Sequence, residues 1–188
     1  MPYRNEETLV RACIAKKRRA QFTFYEKYKG KMYAVCLRYA RDTSQAQDFL
    51  QEGFAKAFMA LRQYRFEVPV EHWLRRIIIN ACISELRRKK EPMDRSIPFE
   101  EVPISLEEEE ETASFRADGL SAKTIISLVQ NLPEGYRTIF NLYAIEGYQH
   151  DEIAEILNIS QGTSRSQYAR ARKALMKAIQ KQKIKCHE

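Results

Sequence analysis

The sequence predicts an all-α chain of two small helical domains, residues 1–90 and 121–188, joined by an acidic linker over residues 91–120. Three observations predict it. Apolar residues recur at three- and four-residue intervals on both sides of the linker, no alternating pattern of strand length interrupts them, and charge falls into three blocks. Residues 1–90 hold 20 Lys and Arg against 9 Asp and Glu, residues 91–120 hold 2 against 10, and residues 121–188 hold 10 against 6, for a net charge of +7. Two basic blocks suit a polyanion such as DNA, because neutralised phosphates release counterions, although a solvated charged surface has the same composition.

Within the first block, Leu9, Val10, Cys13 and Ile14 open the helical series. Phe22, Tyr25, Tyr28, Met32, Val35, Cys36 and Tyr39 carry it through a second helix, in which Gly30 marks at most a slight bend. Asp42-Thr43-Ser44 supplies polar N-cap candidates for a third, with Ser44 and Gln47 spaced as a capping box, and this helix extends to about Tyr64. Arg65-Phe66-Glu67-Val68-Pro69 breaks the period, and Pro69 suits the first turn of a fourth helix running through Trp73 to about Lys90.

Residues 91–120 carry Pro92, Pro98, Pro103 and the run Glu107 to Glu111, with too few large apolar residues to offset the entropy of ordering. The helical period returns after Ser121 through Ile125, Ile126, Leu128, Val129 and Leu132. Pro133 then opens a helix containing Tyr136, Ile139, Phe140, Leu142 and Tyr143, which ends near Gly147.

The strongest local signal follows. Gln149 to Leu157 forms a short helix with the small Ala154 on its apolar face, Asn158-Ile159-Ser160 turns, and a second helix starts at Gln161. This is the spacing of a helix-turn-helix: Ala154 permits close helix approach, Asn158 tolerates the left-handed conformation, Ile159 buries beneath the turn, and Ser160 is an N-cap. In such a motif the second helix enters the major groove. Gln161, Thr163, Ser164, Arg165, Ser166 and Ala169 are the candidate base readers, Arg165 having the bidentate geometry for guanine. Arg170, Arg172 and Lys173 are the candidate phosphate contacts.

Other function classes find little support. No apolar run approaches the roughly 20 residues that span a bilayer, and the first residues lack a signal-peptide core, so a cytoplasmic protein without membrane insertion is expected. Cys13, Cys36, Cys82 and Cys186 form no C-x-x-C pair, and at least three are expected to be core residues. His72, His150 and His187 are not spaced for a metal or a triad. No metal, cofactor or catalytic residue is expected.

Two stretches together resemble the extracytoplasmic-function (ECF) sigma factors of bacterial RNA polymerase, which carry only the second and fourth conserved sigma regions. The first is Asp48-Phe49-Leu50-Gln51-Glu52-Gly53-Phe54-Ala55-Lys56-Ala57-Phe58, followed by Phe66, Trp73-Leu74-Arg75-Arg76-Ile77 and Asn80. The second is Leu132-Pro133-Glu134-Gly135-Tyr136-Arg137, Gly147, Glu152-Ile153-Ala154-Glu155-Ile156-Leu157, Ser160, Gly162-Thr163, Ser166 and Arg170-Ala171-Arg172. The ordered pair spans about four-fifths of the chain and is more specific than either half.

The resemblance implies a non-enzymatic subunit that binds core RNA polymerase, through its beta-prime and beta subunits, and directs initiation at promoter DNA. It implies docking on beta-prime through Asp48, Gln51 and Glu52, to which periodicity adds Lys56, with Phe49, Phe54 and Phe58 in the core. It implies capture of a flipped base of the −10 element around Arg65, Phe66, Arg75, Arg76 and Asn80, with Trp73 as a core anchor, and −35 recognition by the helix from Gln161. An anti-sigma factor is implied as a regulatory partner, and a linker whose Glu107 to Glu111 occupies a basic polymerase channel is a further expectation.

This sequence departs from the family at Ser164, usually Val, at Gln167 and Tyr168, more often Arg and Leu, and at Gln149, usually a Ser or Thr cap. Gly53, inside the docking helix, costs up to about 1 kcal/mol relative to Ala unless close packing requires it. A helix-turn-helix regulator independent of polymerase is the alternative reading, but it leaves the docking stripe unexplained. A recombinase would need a nucleophile on a sheet-containing domain, which residues 1–90 do not offer.

Overall fold

The computed structural model describes residue 3, residues 5–88 and residues 121–185. They are all helical or connecting, with no strand among them, and fall into an N-terminal and a C-terminal unit. The expectations for Lys90, the linker with Glu107 to Glu111, Cys186 and His187 lie outside the described residues.

The N-terminal unit comprises α1 (Glu6–Ile14), α2 (Arg18–Tyr39), α3 (Thr43–Ala60) with a 3₁₀ turn (Leu61–Gln63), and α4 (Val70–Arg88). α2, α3 and α4 pack mutually and α1 lies on α2. Its interior is apolar and aromatic: Phe24, Tyr28, Met32, Tyr39, Phe49, Leu61, Leu74 and Ile78 are all essentially inaccessible. Cys13, Cys36 and Cys82 are free and buried in it, and burial pushes the Cys13 thiol up to about 11, so it stays protonated and packs as a small hydrophobe.

The caps differ from expectation. Asn5 and Thr8 form a capping box on α1 that the sequence reading missed. The cap of α3 is Asp42, whose carboxylate accepts the Gln45 N–H at 2.7 Å; Ser44 lies inside the helix. Gly30 leaves α2 unbroken. α3 and α4 approach at Gly53: a Cβ there would collide with Cδ1, the far end of the buried Ile78 side chain, and would lie 3.4 Å from its Cα, so Ile78 must shift to admit a larger residue.

The C-terminal unit comprises α5 (Ala122–Gln130), α6 (Glu134–Phe140), a π-helical turn (Asn141–Ile145), α7 (His150–Leu157) and α8 (Gln161–Lys185). Its apolar cluster joins Val129, Leu132, Phe140, Ala171 and Leu175. Around it lie buried polar side chains, Arg137, Thr138, Asn141, Ser164 and Gln167. Asn158 is left-handed at φ 54°, as the turn requires, and Ile159 is half-buried beneath it. The Glu152 carboxylate accepts the Gln149 N–H at 2.7 Å, which supports the helix start where Ser or Thr is absent.

Candidate polymerase and promoter surfaces

On α3, every position of the anticipated stripe reaches solvent. Asp48 and Gln51 are exposed, and Glu52 and Lys56 are half-exposed and paired at 3.2 Å. Phe49 and Phe54 are buried and Phe58 partly so, its ring 5.8 Å from Phe24. Two features adjoin the stripe that sequence reasoning missed. Met59, 81% exposed, continues the exposed side of α3 by the i+4 interval from Ala55, a signal present in the sequence. An open groove of about 520 Å³ between α2 and α3 brings Tyr25, Lys29, Gly30 and Tyr33 beside Gln47 and Gln51, and this pairing of helices is not readable from either helix alone.

The loop before α4 is contacted from several sides. Tyr64 donates its hydroxyl to the Val68 carbonyl at 2.5 Å, and its ring lies 4.7 Å from Phe66 and 5.2 Å from Trp73. Phe66 has φ 61°, a strained value for an aromatic residue, and remains 39% exposed with the Arg11 guanidinium 5.2 Å over its ring. Glu6, which sequence reasoning also missed, joins three elements: its carboxylate accepts from Lys27 at 2.8 Å, from the Tyr28 hydroxyl, and from the Val70 N–H at the start of α4. Burial opposes its ionisation, but the hydrogen bonds from Lys27 and Tyr28 and the Lys27 charge prevail and hold Glu6 below its ordinary range. Trp73 is half-buried rather than a core anchor, because its ring sits at the loop edge against Tyr64. Arg65 is exposed on the loop; Arg76 and Asn80 share an exposed face of α4 at i, i+4, and Arg75 lies half-buried beside them.

On α8 the predicted readers divide. Gln161, Arg165, Ala169 and Lys173 are exposed and recur every fourth residue, forming one stripe. Thr163 and Ser166 are half-buried, with hydroxyls engaged inside the motif: Thr163 Oγ1 lies 2.7 Å from Ser160 Oγ, and Ser166 donates to the Thr163 carbonyl at 3.1 Å. Arg170 and Arg172 are half-buried flanks of the stripe. Ser164 is a correction. It is fully buried, with Oγ 2.9 Å from His150 Nδ1, and so faces α7 instead of a groove.

Family models match both halves of the chain: Sigma-70 region 2 over residues 24–91 and Sigma-70, region 4 over residues 122–175. The RNA polymerase sigma-H factor of Pseudomonas aeruginosa is 35% identical over 162 residues, covering 82% of this chain and 83% of that protein. The chain belongs to the sigma-70 family, among the ECF RNA polymerase sigma factors. The ECF RNA polymerase sigma factor SigW of Bacillus subtilis is 30% identical over 162 residues, covering 81% of this chain and 84% of the relative. The sigma factor RpoE of Bartonella quintana, solved in complex with the anti-sigma factor NepR, shares the fold at TM-score 0.51 and 18% identity, covering 84% of this chain and 97% of that one.

As a sigma factor the protein is a transcription initiation factor and not an enzyme. The independent regulator and the recombinase are thereby set aside. Among the described residues no helix is long and apolar enough to cross a membrane.

Proposed function

We propose that the two units divide promoter recognition by this sigma factor. The N-terminal unit docks on core polymerase through Asp48, Gln51, Glu52 and Lys56, extended by Met59 and by the α2 wall of the adjoining groove. Arg65 and the strained Phe66, with Arg75, Arg76 and Asn80, hold the melted −10 strand. The C-terminal unit lays the Gln161, Arg165, Ala169 and Lys173 stripe in the −35 major groove, with Thr163 and Ser166 at its edge and Arg170 and Arg172 toward the phosphates. Residues 91–120 tether the two.

The observation that carries this reading is the exposed stripe on α8. Its four members repeat at i+4, while Ser164, Gln167 and Ala171 on the opposite side are inaccessible, so one face is left for DNA. The protein works in the cytoplasm, where core polymerase is found. An anti-sigma factor is its regulatory partner, and the RpoE protein of the same fold was solved in complex with one; the docking stripe is the surface it covers.

Reconstitution tests the reading. The purified chain added to sigma-free core polymerase is expected to restore initiation from a promoter selected out of a randomised library. A chain that binds duplex DNA but neither binds core enzyme nor restores initiation overturns it.

A further inference from the structure

The start of α8 is fixed by more than apolar packing. His150, the first residue of α7, places Nδ1 2.9 Å from Oγ of the buried Ser164. Its ring stacks on Tyr143 at 4.2 Å and 12°, and meets Tyr168 edge-on at 5.9 Å. Tyr143 comes from the π-helical turn and Tyr168 from α8, so one imidazole joins three consecutive elements. Ser164 immediately precedes Arg165, so a rotation of this turn that re-aimed the arginine would also break the contact to His150.

We propose that His150 and Ser164 form a polar lock that sets the rotation of the first turns of α8, making His150 a positioning residue for duplex reading. The inference rests on the −35 reading above. An apolar residue at 164 would pack over a range of rotations, whereas a hydrogen bond to a stacked ring has a narrow optimum. The charged and titratable groups around the ring are Arg165 and Tyr168 on α8, Asp151 on α7 and Tyr143 on the π-helical turn.

Burial, and then the Arg165 charge, lower the affinity of His150 for a proton, against the opposing effect of Asp151. The position of the ring at the N-terminus of α7 disfavours a cation further. With its affinity lowered in the fold, His150 contributes stability that is complete above its ordinary value of 6.5 and is lost as pH falls through the lowered one. Protonating the ring therefore opposes its seat beside Arg165, while Ser164 Oγ can partner either protonation state.

The test uses full-length protein in complex with core polymerase and a promoter-length duplex library randomised across its upstream element. Selectivity is read as enrichment of preferred sequences over the mean. His150→Phe, which keeps the ring stack, and Ser164→Val are each expected to lower selectivity about fivefold, the scale of one hydrogen bond. The double variant should fall no further, and wild-type selectivity, but not that of His150→Phe, should decline as pH falls below 6.5 through the lowered value.

Additive losses, or a decline in acid for His150→Phe equal to that of wild type, overturn the lock. Arg165→Ala separates the two layers. If it abolishes selectivity while the His150 and Ser164 variants retain it, duplex reading stands and the lock fails. If Arg165→Ala also retains it, the −35 reading itself fails and the lock with it. Should His150→Phe not fold, the pH profile of Ser164→Ala against wild type decides by the same criterion.

Discussion

The two helical units keep their shape by different means. In the N-terminal unit, Gln45 is the one amide or charged side chain among the described buried residues, and apart from tyrosine hydroxyls and cysteine thiols the rest of the interior is a close-packed set of aromatic and aliphatic groups. The C-terminal unit has a smaller apolar cluster and buries Arg137, Thr138, Asn141, Ser164 and Gln167. Arg137 donates to the Gln130 carbonyl at 2.7 Å, and Thr138 to that of Glu134 at 2.8 Å. Apolar packing is strong and non-directional, which suits a platform; buried hydrogen bonds are weaker but fix orientation, which suits a helix that must present chosen side chains to base edges.

The comparison can be broken most forcefully in the platform. Leu74→Ala removes a fully buried side chain and is expected to cost about 2–5 kcal/mol. Urea unfolding followed by Trp73, the chain's one tryptophan and a reporter of this unit alone, measures it. A loss well below 1 kcal/mol would show that the interior is looser than its burial suggests.

Gly53→Ala is the next largest. Overpacking against Ile78 is expected to destabilise by about 1–3 kcal/mol, partly offset by the better helix propensity of Ala. The double variant Gly53→Ala with Ile78→Val removes the colliding Cδ1 and should recover most of the loss in the same titration. No recovery would mean that backbone, and not that methyl group, forbids the side chain.

In the C-terminal unit the sign should reverse. Gln167 is inaccessible, and neither atom of its side-chain amide has a hydrogen-bond partner among the described residues. Gln167→Leu is therefore expected to stabilise this unit by about 1–2 kcal/mol in a thermal melt followed by circular dichroism. Destabilisation instead would reveal that the amide is satisfied in solution.

The smallest effect belongs to Glu6, whose side chain is 42% exposed. Since its proton affinity is lowered in the fold, its contribution is present above its ordinary value of 4.5 and lost as pH falls through the lowered one. Glu6→Gln should shift the Trp73-monitored stability at neutral pH by less than about 1 kcal/mol and flatten its decline in acid. An unchanged acid limb would move that dependence to other carboxylates.

Distance along the chain, in both units, decides what the sequence could disclose. Helix period and turn chemistry depend on neighbours along the chain, so the helices, the Asn158 turn and the exposed Asp48–Gln51 stripe were legible. Ser164 was misassigned because helical periodicity alone does not tell a polar residue facing a groove from one facing another helix; its partner His150 is 14 residues away. The same applies to Glu6, which reaches Tyr28 and Val70, and to the groove between α2 and α3. The close approach at Gly53 became plain only with Ile78 against it.

The division of labour is tested most directly by separation of function. A variant with Asp48→Lys and Gln51→Lys and a variant with Arg165→Ala and Lys173→Ala are compared for core polymerase binding and for dependence of initiation on the −35 sequence. The first should lose core binding with its fold intact by Trp73 fluorescence; the second should bind core enzyme as wild type does and initiate without regard to the −35 sequence. If the α3 variant binds core polymerase normally, or the α8 variant keeps its −35 dependence, the assignment of these surfaces is contradicted.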